Sequence, residues 1–179
     1  MRIELRVWSI GDAAGLQAAV AESADLVTQL PLRALTTAAA CADFIATHLA
    51  PTGPASYNFA IAQGGIAVGN VGISNINPKH DTAWAYYWVT TSSRGRGLAS
   101  RALVTAAAWA FDGLGLFRLE LGHRLNNPAS CRVASAAGFL PEGIERAKLR
   151  YGEVRFDVET HARLRTDPAP AIEALPMRI

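Results

Sequence analysis

The sequence predicts one α/β domain of the α+β kind, with a mixed, mostly antiparallel central sheet of about seven strands and helices on both faces. Two observations support this prediction. Runs with strand-like and helix-like periodicity follow one another in the order β-α-α-β-β-β-α-β-α-β-β, and half of the 179 residues are apolar while 18% are charged. A hairpin meander followed by two helical crossings is typical of a mixed sheet and not of a repeating βαβ array.

The first half of the chain predicts a strand, two helices and a meander. Residues 3–9 alternate at period two, and residues 12–22 and 35–49 carry Ala, Leu and Val at helical spacing, with Thr36 or Thr37 as the N-cap of the second helix. The meander strands are residues 57–62, 66–73 and 84–90, with a glycine turn at 63–65 and a loop at 75–81.

The second half predicts two helices and three strands. Residues 98–112 read as a helix and 117–121 as a strand. Asn127 and Pro128 start the last helix as cap and first residue, and Gly138 ends it. Two strands follow, at 139–147 and 154–161. We place a single domain at residues 1–165 and a Pro-rich C-terminal tail at 166–179, either loose or packed on a neighbour.

Composition excludes several classes of protein. A net charge of +2, without a basic stripe on any predicted helix, does not indicate nucleic-acid binding. No apolar run approaches the roughly 18 residues of a membrane span, and the alternating N-terminus does not resemble a signal peptide. Cys41 and Cys131 lie far apart and show neither disulfide nor metal-binding spacing. We therefore expect a cytoplasmic protein without a metal, a membrane or a nucleic acid as partner.

An anion-binding turn is predicted where the aromatic strand meets the third helix. Residues 93–101 read Ser-Arg-Gly-Arg-Gly-Leu-Ala-Ser-Arg and lead directly into that helix. Glycines let the backbone turn its amides outward, and a helix start adds unpaired N–H groups and a positive dipole end. Arg94 and Arg96 add positive charge, so the segment suits a pyrophosphate group.

Two other phosphate-binding motifs resemble this turn. A Walker loop requires Lys and Ser or Thr after its last glycine, and Leu98 and Ala99 exclude it. Residues 95–100 come close to the dinucleotide-binding pattern G-x-G-x-x-G/A, and Glu120 follows about 20 residues later, where that motif has an acidic residue. The extra residues between strand and glycines disfavour that reading. A flexible basic loop without a ligand stays as a further alternative.

Four elements in order carry a resemblance to a known family. Residues 94–99 match R/Q-x-x-G-x-G/A, 127–130 match N-x-x-S, 138–143 match G-F-x-x-E-G, and the Tyr-Trp-Val run at 87–89 precedes them. Asp157 also lies where an aspartate is common. Over residues 3–163 the chain therefore resembles the GNAT superfamily of acyl-CoA-dependent N-acyltransferases, and within it the Rim-type branch of ribosomal-protein N-terminal acetyltransferases.

The resemblance implies acetyl-CoA as acyl donor. In the family the fourth and fifth strands splay apart, the pantetheine arm pairs with the fourth strand, and a main-chain N–H near Val89 polarises the thioester. The pyrophosphate lies on the amides of the glycine turn. The residues expected to bind acetyl-CoA are Trp88, Val89, Thr90, Arg94, Gly95, Arg96, Gly97, Leu98, Ala99 and Asn127. For Asn127 a purely capping role stays open.

The resemblance also implies catalytic candidates. Ser130 is the expected proton donor to the leaving thiolate, with a simple helix-start serine as the alternative. The glutamate that many relatives carry on the fourth strand is missing, so Glu120 is the nearest replacement base and His123 a second candidate. A paired surface carboxylate is the competing interpretation of Glu120. An amine of low pKa needs only a water chain as base.

The function expected from the resemblance is direct transfer of an acetyl group to a primary amine, with a protein N-terminus as acceptor. Acetylation of a small amine (an antibiotic, a polyamine or an amino-acid derivative) and a non-catalytic acyl-CoA-binding module are the alternatives. After Asp12, few acids occur up to residue 49, namely Glu22, Asp25 and Asp43, which disfavours an aminoglycoside. A homodimer is left open.

Overall fold

A computed structural model describes residues 2–50, 53 and 56–179 of the chain. Within these residues eight strands form one sheet, and helices cover both of its faces. The elements are β1 Ile3–Val7, α1 Ala13–Glu22, α2 Ala38–Phe44, β2 Ser56–Gln63, β3 Ile66–Asn77, β4 Thr82–Val89, α3 Leu98–Gly113, β5 Arg118–Arg124, α4 Pro128–Ala136, β6 Leu140–Tyr151, β7 Val154–Leu164 and β8 Met177–Arg178.

The strand order is β6-β7-β5-β4-β3-β2-β1-β8. Two neighbouring pairs, β4–β5 and β1–β8, run parallel, and the remaining pairs run antiparallel. The predicted fold class, a mixed and mostly antiparallel sheet, is therefore confirmed. The described sheet has one more strand than the seven expected, because two residues of the predicted tail form β8.

Alternation along the strands supplies two apolar cores. Phe59 and Ile61 of β2 point to the face covered by α3 and α4, whereas Ala60 between them points to the face covered by α1 and α2. The longest described helix, α3, has 16 residues and buries an almost continuous apolar side against the sheet. Among the described helices none combines the length and apolar character needed to cross a membrane.

The pairing of β4 with β5 is short, and this shapes the site. The two strands are in register only at Thr82 with Arg118, Ala83 with Leu119 and Trp84 with Glu120. Beyond Trp84 they diverge, so residues 85–89 of β4 have no strand partner on the β5 side. A strand edge without a partner exposes main-chain donors and acceptors, which a ligand can pair with.

The helix predicted at residues 35–49 is shorter than expected. It begins at Ala38 and is regular only to Phe44, after which residues 45–49 form a wider π-helical turn. Thr37, and not Thr36, is the N-cap, since its hydroxyl oxygen accepts the Ala40 N–H at 3.1 Å. The loop predicted from residue 75 also begins later, because β3 continues to Asn77.

The segment predicted as a tail packs against its own domain. Leu175 is only 3% exposed and joins the core under α3. The Thr105 hydroxyl donates to the Leu175 carbonyl at 3.1 Å and accepts its N–H at 2.7 Å. Residues 177–178 then pair in parallel with β1. The prediction was a tail that is either loose or packed on a neighbour, whereas the structure shows the segment packed on its own domain.

Candidate active site

The glycine turn predicted to bind an anion lies at the start of α3. Gly95 and Gly97 have φ angles of 76° and 71°, in the left-handed region that glycine adopts without strain. Gly97 is the N-cap of α3, and no side chain caps this helix. A Cβ atom on either glycine would meet nothing within 4 Å among the described atoms. The first amides of α3 are thus available to an anionic group.

The two arginines of this turn are held by protein groups. The Arg94 guanidinium donates from Nε to the Val89 carbonyl at 2.9 Å and forms an ion pair with Asp25 at 2.9 Å. Arg96 is exposed and donates to the Ser92 carbonyl at 3.0 Å. Arg94 therefore fastens the turn to the end of β4, and the free positive charge expected at that position is shared with Asp25.

A cavity of about 470 Å³ extends from this turn along the open edge of β4 to the first residues of α4. Most of the predicted site residues line this cavity. The predicted residues that line it are Trp88, Val89, Arg94, Gly95, Gly97, Leu98, Ala99, Asn127 and Ser130. Four predicted residues are not part of its lining: Thr90, Arg96, Glu120 and His123. Arg132 and Tyr87, which sequence reasoning did not assign to the site, line it as well.

The backbone N–H groups of Val89 and Thr90, two residues predicted to bind the donor, point in opposite directions. The Thr90 N–H donates to the Val68 carbonyl at 2.9 Å, so it points toward β3. Because successive residues of a strand point their N–H groups to opposite sides, the Val89 N–H points into the gap beside β5. Val89 thus has the orientation required of an oxyanion donor, whereas the Thr90 amide is already used within the sheet.

Asn127 and Ser130 form a closed hydrogen-bonded pair at the start of α4. The Asn127 Oδ1 accepts the Ser130 N–H at 3.2 Å and caps the helix. The Asn127 Nδ2 donates to the Ser130 Oγ at 3.0 Å. Since this bond uses a lone pair of the hydroxyl, the Ser130 proton stays available for donation into the cavity. The role of Ser130 as proton donor stays a prediction, and this geometry is compatible with it.

Tyr87 is the neighbour of Ser130 across the cavity. Its hydroxyl donates to the Ser130 carbonyl at 3.2 Å. Burial raises the pKa of Tyr87 to about 12, so its phenol keeps its proton at neutral pH. Sequence reasoning quoted Tyr87 only within the resemblance. Its alternation with Tyr86, which lies on the opposite face of β4, was the signal that could have placed it on the cavity side.

Glu120 lies outside this arrangement. It pairs in register with Trp84 and faces away from Leu119 and Leu121, which are buried in the core under α3. Its carboxylate accepts from Arg118 Nε at 2.7 Å, and the same guanidinium also binds Glu142. The structure thus shows the paired carboxylate that competed with the predicted catalytic role.

A second cavity, of about 430 Å³, opens on the α1–α2 side of β4 and shares Gln29 and Trp88 with the first. A chain of neutral polar groups lies in its wall. Asn70 accepts from Trp8 Nε1 at 2.8 Å and donates to Asn58 at 3.0 Å. Asn58 Oδ1 also accepts from the Tyr86 hydroxyl at 2.6 Å. The two asparagines were not predicted to belong to the site.

These features are those of a domain with a cleft, between two diverging strands of its sheet, that suits an extended, anionic ligand. Comparison with known proteins agrees with this class. Residues 2–140 match the family described as acetyltransferase (GNAT) domain. The chain therefore belongs to the GNAT acetyltransferase family, and the resemblance stated from the sequence is confirmed at this level.

Individual relatives are more distant. A ribosomal-protein-serine acetyltransferase of Escherichia coli K12 is 30% identical over 97 residues, or 54% of each chain. The chain thus matches about half the length of this curated relative. Two solved structures share the fold. RimJ of Mycobacterium smegmatis with CoA-disulfide has a TM-score of 0.78 at 24% identity, covering 91% of this chain and 82% of that one. The microcin C7 self-immunity acetyltransferase MccE, with acetyl-CoA and AMP, has 0.81 at 17% identity, covering 91% and 92%.

Proposed function

We propose that this protein transfers an acetyl group from acetyl-CoA to a primary amine, and that the amine is a protein N-terminus. The observation that carries the proposal is the open edge of β4 beyond Trp84, which leads directly to the uncapped start of α3. An acyl-CoA has the matching parts: an extended amide-containing arm and a pyrophosphate at its far end. Family membership and the acetyl-CoA complex of MccE support the same donor.

The donor would lie in the larger cavity. Its pyrophosphate would accept hydrogen bonds from the first amides of α3 and the glycine turn, where the helix dipole favours negative charge. Its amides would pair with the free edge of β4, as an added strand does. This placement brings the thioester toward Val89 and the start of α4, which both line the cavity.

Transfer would be direct within a ternary complex. The neutral amine attacks the thioester carbonyl, and the Val89 N–H stabilises the oxyanion that forms. The C–S bond then breaks, the Ser130 hydroxyl gives its proton to the leaving thiolate, and a water molecule returns a proton to the Ser130 Oγ. The proton lost by the amine passes to solvent through water, since a free N-terminus has an ordinary pKa of about 7.7–8.0.

The smaller cavity would accept the amine. It meets the donor cavity at Trp88, so an acceptor there approaches the open edge of β4 from the opposite side. Its described lining contains no acidic residue and is rich in neutral donors and acceptors such as Asn58, Asn70 and Tyr86. Such a wall suits a peptide main chain better than a polycation, which requires carboxylates.

The test is a thiol-release assay with acetyl-CoA and three acceptors: a peptide with a free N-terminus, the same peptide with a blocked N-terminus, and spermidine. We expect release with the free peptide only. The peptides should carry no lysine, so that the N-terminal amine is the single primary amine. If spermidine were the only acceptor that is acetylated, the proposed protein N-terminus would be wrong and the acceptor would be a small amine. Tight binding of acetyl-CoA without turnover of any amine would refute the enzymatic proposal.

A further inference from the structure

Four potential metal ligands converge beside the start of α4. They come from three elements: His123 on β5, Cys131 on α4, and Glu159 and His161 on β7. One ligand atom of each lies within 4.8 Å of all the others. The convergence follows from the sheet, because His123 is the register partner of Glu159, and His161 lies two residues further on the same side of β7.

The cluster is largely withdrawn from solvent. His123 and His161 are 7% and 1% exposed. Their Nε2 atoms lie 3.1 Å apart, and the Glu159 Oε2 is 3.2 Å from the first and 3.0 Å from the second. Three polar atoms therefore meet around one point, with the Cys131 thiol close by.

Hydrogen bonding decides which ring nitrogens carry protons. The His123 Nδ1 lies 3.1 Å from the Arg124 carbonyl, and the His161 Nδ1 lies 3.2 Å from the Phe139 carbonyl. A carbonyl oxygen only accepts, so each Nδ1 must carry the hydrogen. In a neutral imidazole the Nε2 is then a lone pair. Two such lone pairs and a carboxylate oxygen facing one another repel unless a cation lies between them.

We propose that His123, Cys131, Glu159 and His161 together bind one zinc ion. Imidazole, thiolate and carboxylate are the ligands of tetrahedral zinc, and Nδ1–H donation to a backbone carbonyl is the usual support of a zinc-bound histidine. Bonds of about 2.0–2.1 Å place tetrahedral nitrogen ligands about 3.3 Å apart, close to the observed spacing. A single proton would satisfy only part of this set, whereas a metal ion contacts all four groups.

The proposed zinc site is structural and not catalytic. Four protein ligands leave no position for a reacting water. On binding, the Cys131 thiol releases its proton to solvent. The ion connects β5, β7 and the first turn of α4, and so it anchors the residue next to Ser130. His123, with its Nε2 on the metal, is then unavailable as the general base considered from the sequence.

The first test measures metal content. The full chain is purified without a histidine tag, and zinc is measured by mass spectrometry after dialysis; we expect one ion per chain. Replacement by Co²⁺ should give the intense visible bands of a tetrahedral site and a thiolate-to-cobalt charge-transfer band. In Cys131→Ser the charge-transfer band should disappear and zinc affinity should fall at least about tenfold.

Matched controls locate the metal. Cys41→Ala removes the other cysteine and should keep the charge-transfer band. His80→Asn removes an exposed histidine outside the cluster and should keep one zinc per chain. Because His161 is buried and its variants can fail to fold, Glu159→Gln serves as the second variant, with affinity expected to fall as in Cys131→Ser.

Chelation provides a readout that is independent of activity. Removal of zinc should lower the Tm of the wild type by about 5–10 °C and should lower that of Cys131→Ser by a smaller amount, in proportion to its weaker zinc binding. A wild type that binds no zinc or cobalt stoichiometrically would overturn the proposal and leave a shared proton in the cluster. So would metal binding that persists at full affinity in both Cys131→Ser and Glu159→Gln.

Discussion

The side chain of Asn127 makes two hydrogen bonds to Ser130, accepting its N–H at 3.2 Å and donating to its hydroxyl at 3.0 Å. One residue thus both starts α4 and orients the hydroxyl beside the donor cavity. The two interpretations of Asn127, helix cap and active-site residue, are compatible, since its amide has two ends.

Ser130→Ala should lower kcat by about 100-fold, because the thiolate would leave without its proton donor. KM for acetyl-CoA should change little, since the hydroxyl proton is used in the transition state. The measurement is steady-state thiol release with the peptide acceptor. Ser135→Ala, at an exposed position of the same helix, is the control and should keep wild-type kinetics. Wild-type kcat in Ser130→Ala would remove Ser130 from the mechanism.

Gly97→Glu should weaken CoA binding by at least about 100-fold, because the side chain fills the open turn and places a negative charge where the pyrophosphate binds. A side chain other than glycine's is strained at this φ, so a control variant must measure the effect of backbone strain alone. Gly152→Glu supplies it: Gly152 also has a positive φ and open space, but it lies in the β6–β7 turn. Calorimetric titration with CoA compares them. Equal affinities would contradict the assigned pyrophosphate position.

Tyr87→Phe should leave the shape of the pH–rate profile unchanged between about pH 6 and 10, because a phenol with a pKa of about 12 does not ionise in that range. The rate itself should fall only by the loss of one hydrogen bond to the Ser130 carbonyl, about fivefold. Loss of a limb of the profile in this variant would instead identify Tyr87 as an acid or base.

Asp12 should make folding sensitive to acid. Burial raises the pKa of its carboxyl, but hydrogen bonds from Arg6 at 2.5 and 2.7 Å and from Ser9 outweigh burial, so the pKa is lowered overall. A folded-state pKa below the unfolded value of about 3.9 stabilises the protein above that pH, and the contribution is lost as the pH falls further. Asp12→Asn should therefore cost about 2 kcal/mol at pH 7.

Urea unfolding at pH 7 and in acid tests this assignment. The difference between wild type and Asp12→Asn should narrow below about pH 4, where Asp12 takes up a proton first in the unfolded state and, at still lower pH, in the folded state. Asp43→Asn changes an exposed carboxylate and should be nearly neutral at both pH values. A difference between wild type and Asp12→Asn that stays constant with pH would show that the ion pair with Arg6 does not stabilise the fold.

Leu175→Ala should destabilise the domain by about 2–4 kcal/mol, since it leaves a cavity under α3. The measurement is the free energy of unfolding. Ile179→Ala is the control, because Ile179 is 73% exposed and its truncation should cost less than about 0.5 kcal/mol. If both variants were equally mild, the C-terminal segment would not contribute to the core.

The bounds of an element could be predicted from the sequence where they depend on residues close to one another in the chain. The Asn127–Pro128 start of α4 and its end near Gly138, with a φ of 80°, were predictable from capping alone. The π-helical turn after Phe44 was not, because the composition of that segment stays helical and only packing alters its hydrogen bonds. Leu175 was counted with a tail, since proline-rich composition does not reveal that one leucine is buried.

By itself the sequence determined the order of elements, the glycine turn at the start of α3 and the Asn127 cap at the start of α4, because each depends on neighbours a few residues apart. The tertiary structure alone decided where β4 and β5 diverge, which of the β4 amides faces the gap, and that Glu120 is bound by Arg118. It also brought His123 and His161 to 3.1 Å across 38 residues. Such meetings depend on strand order and register, which no local pattern encodes.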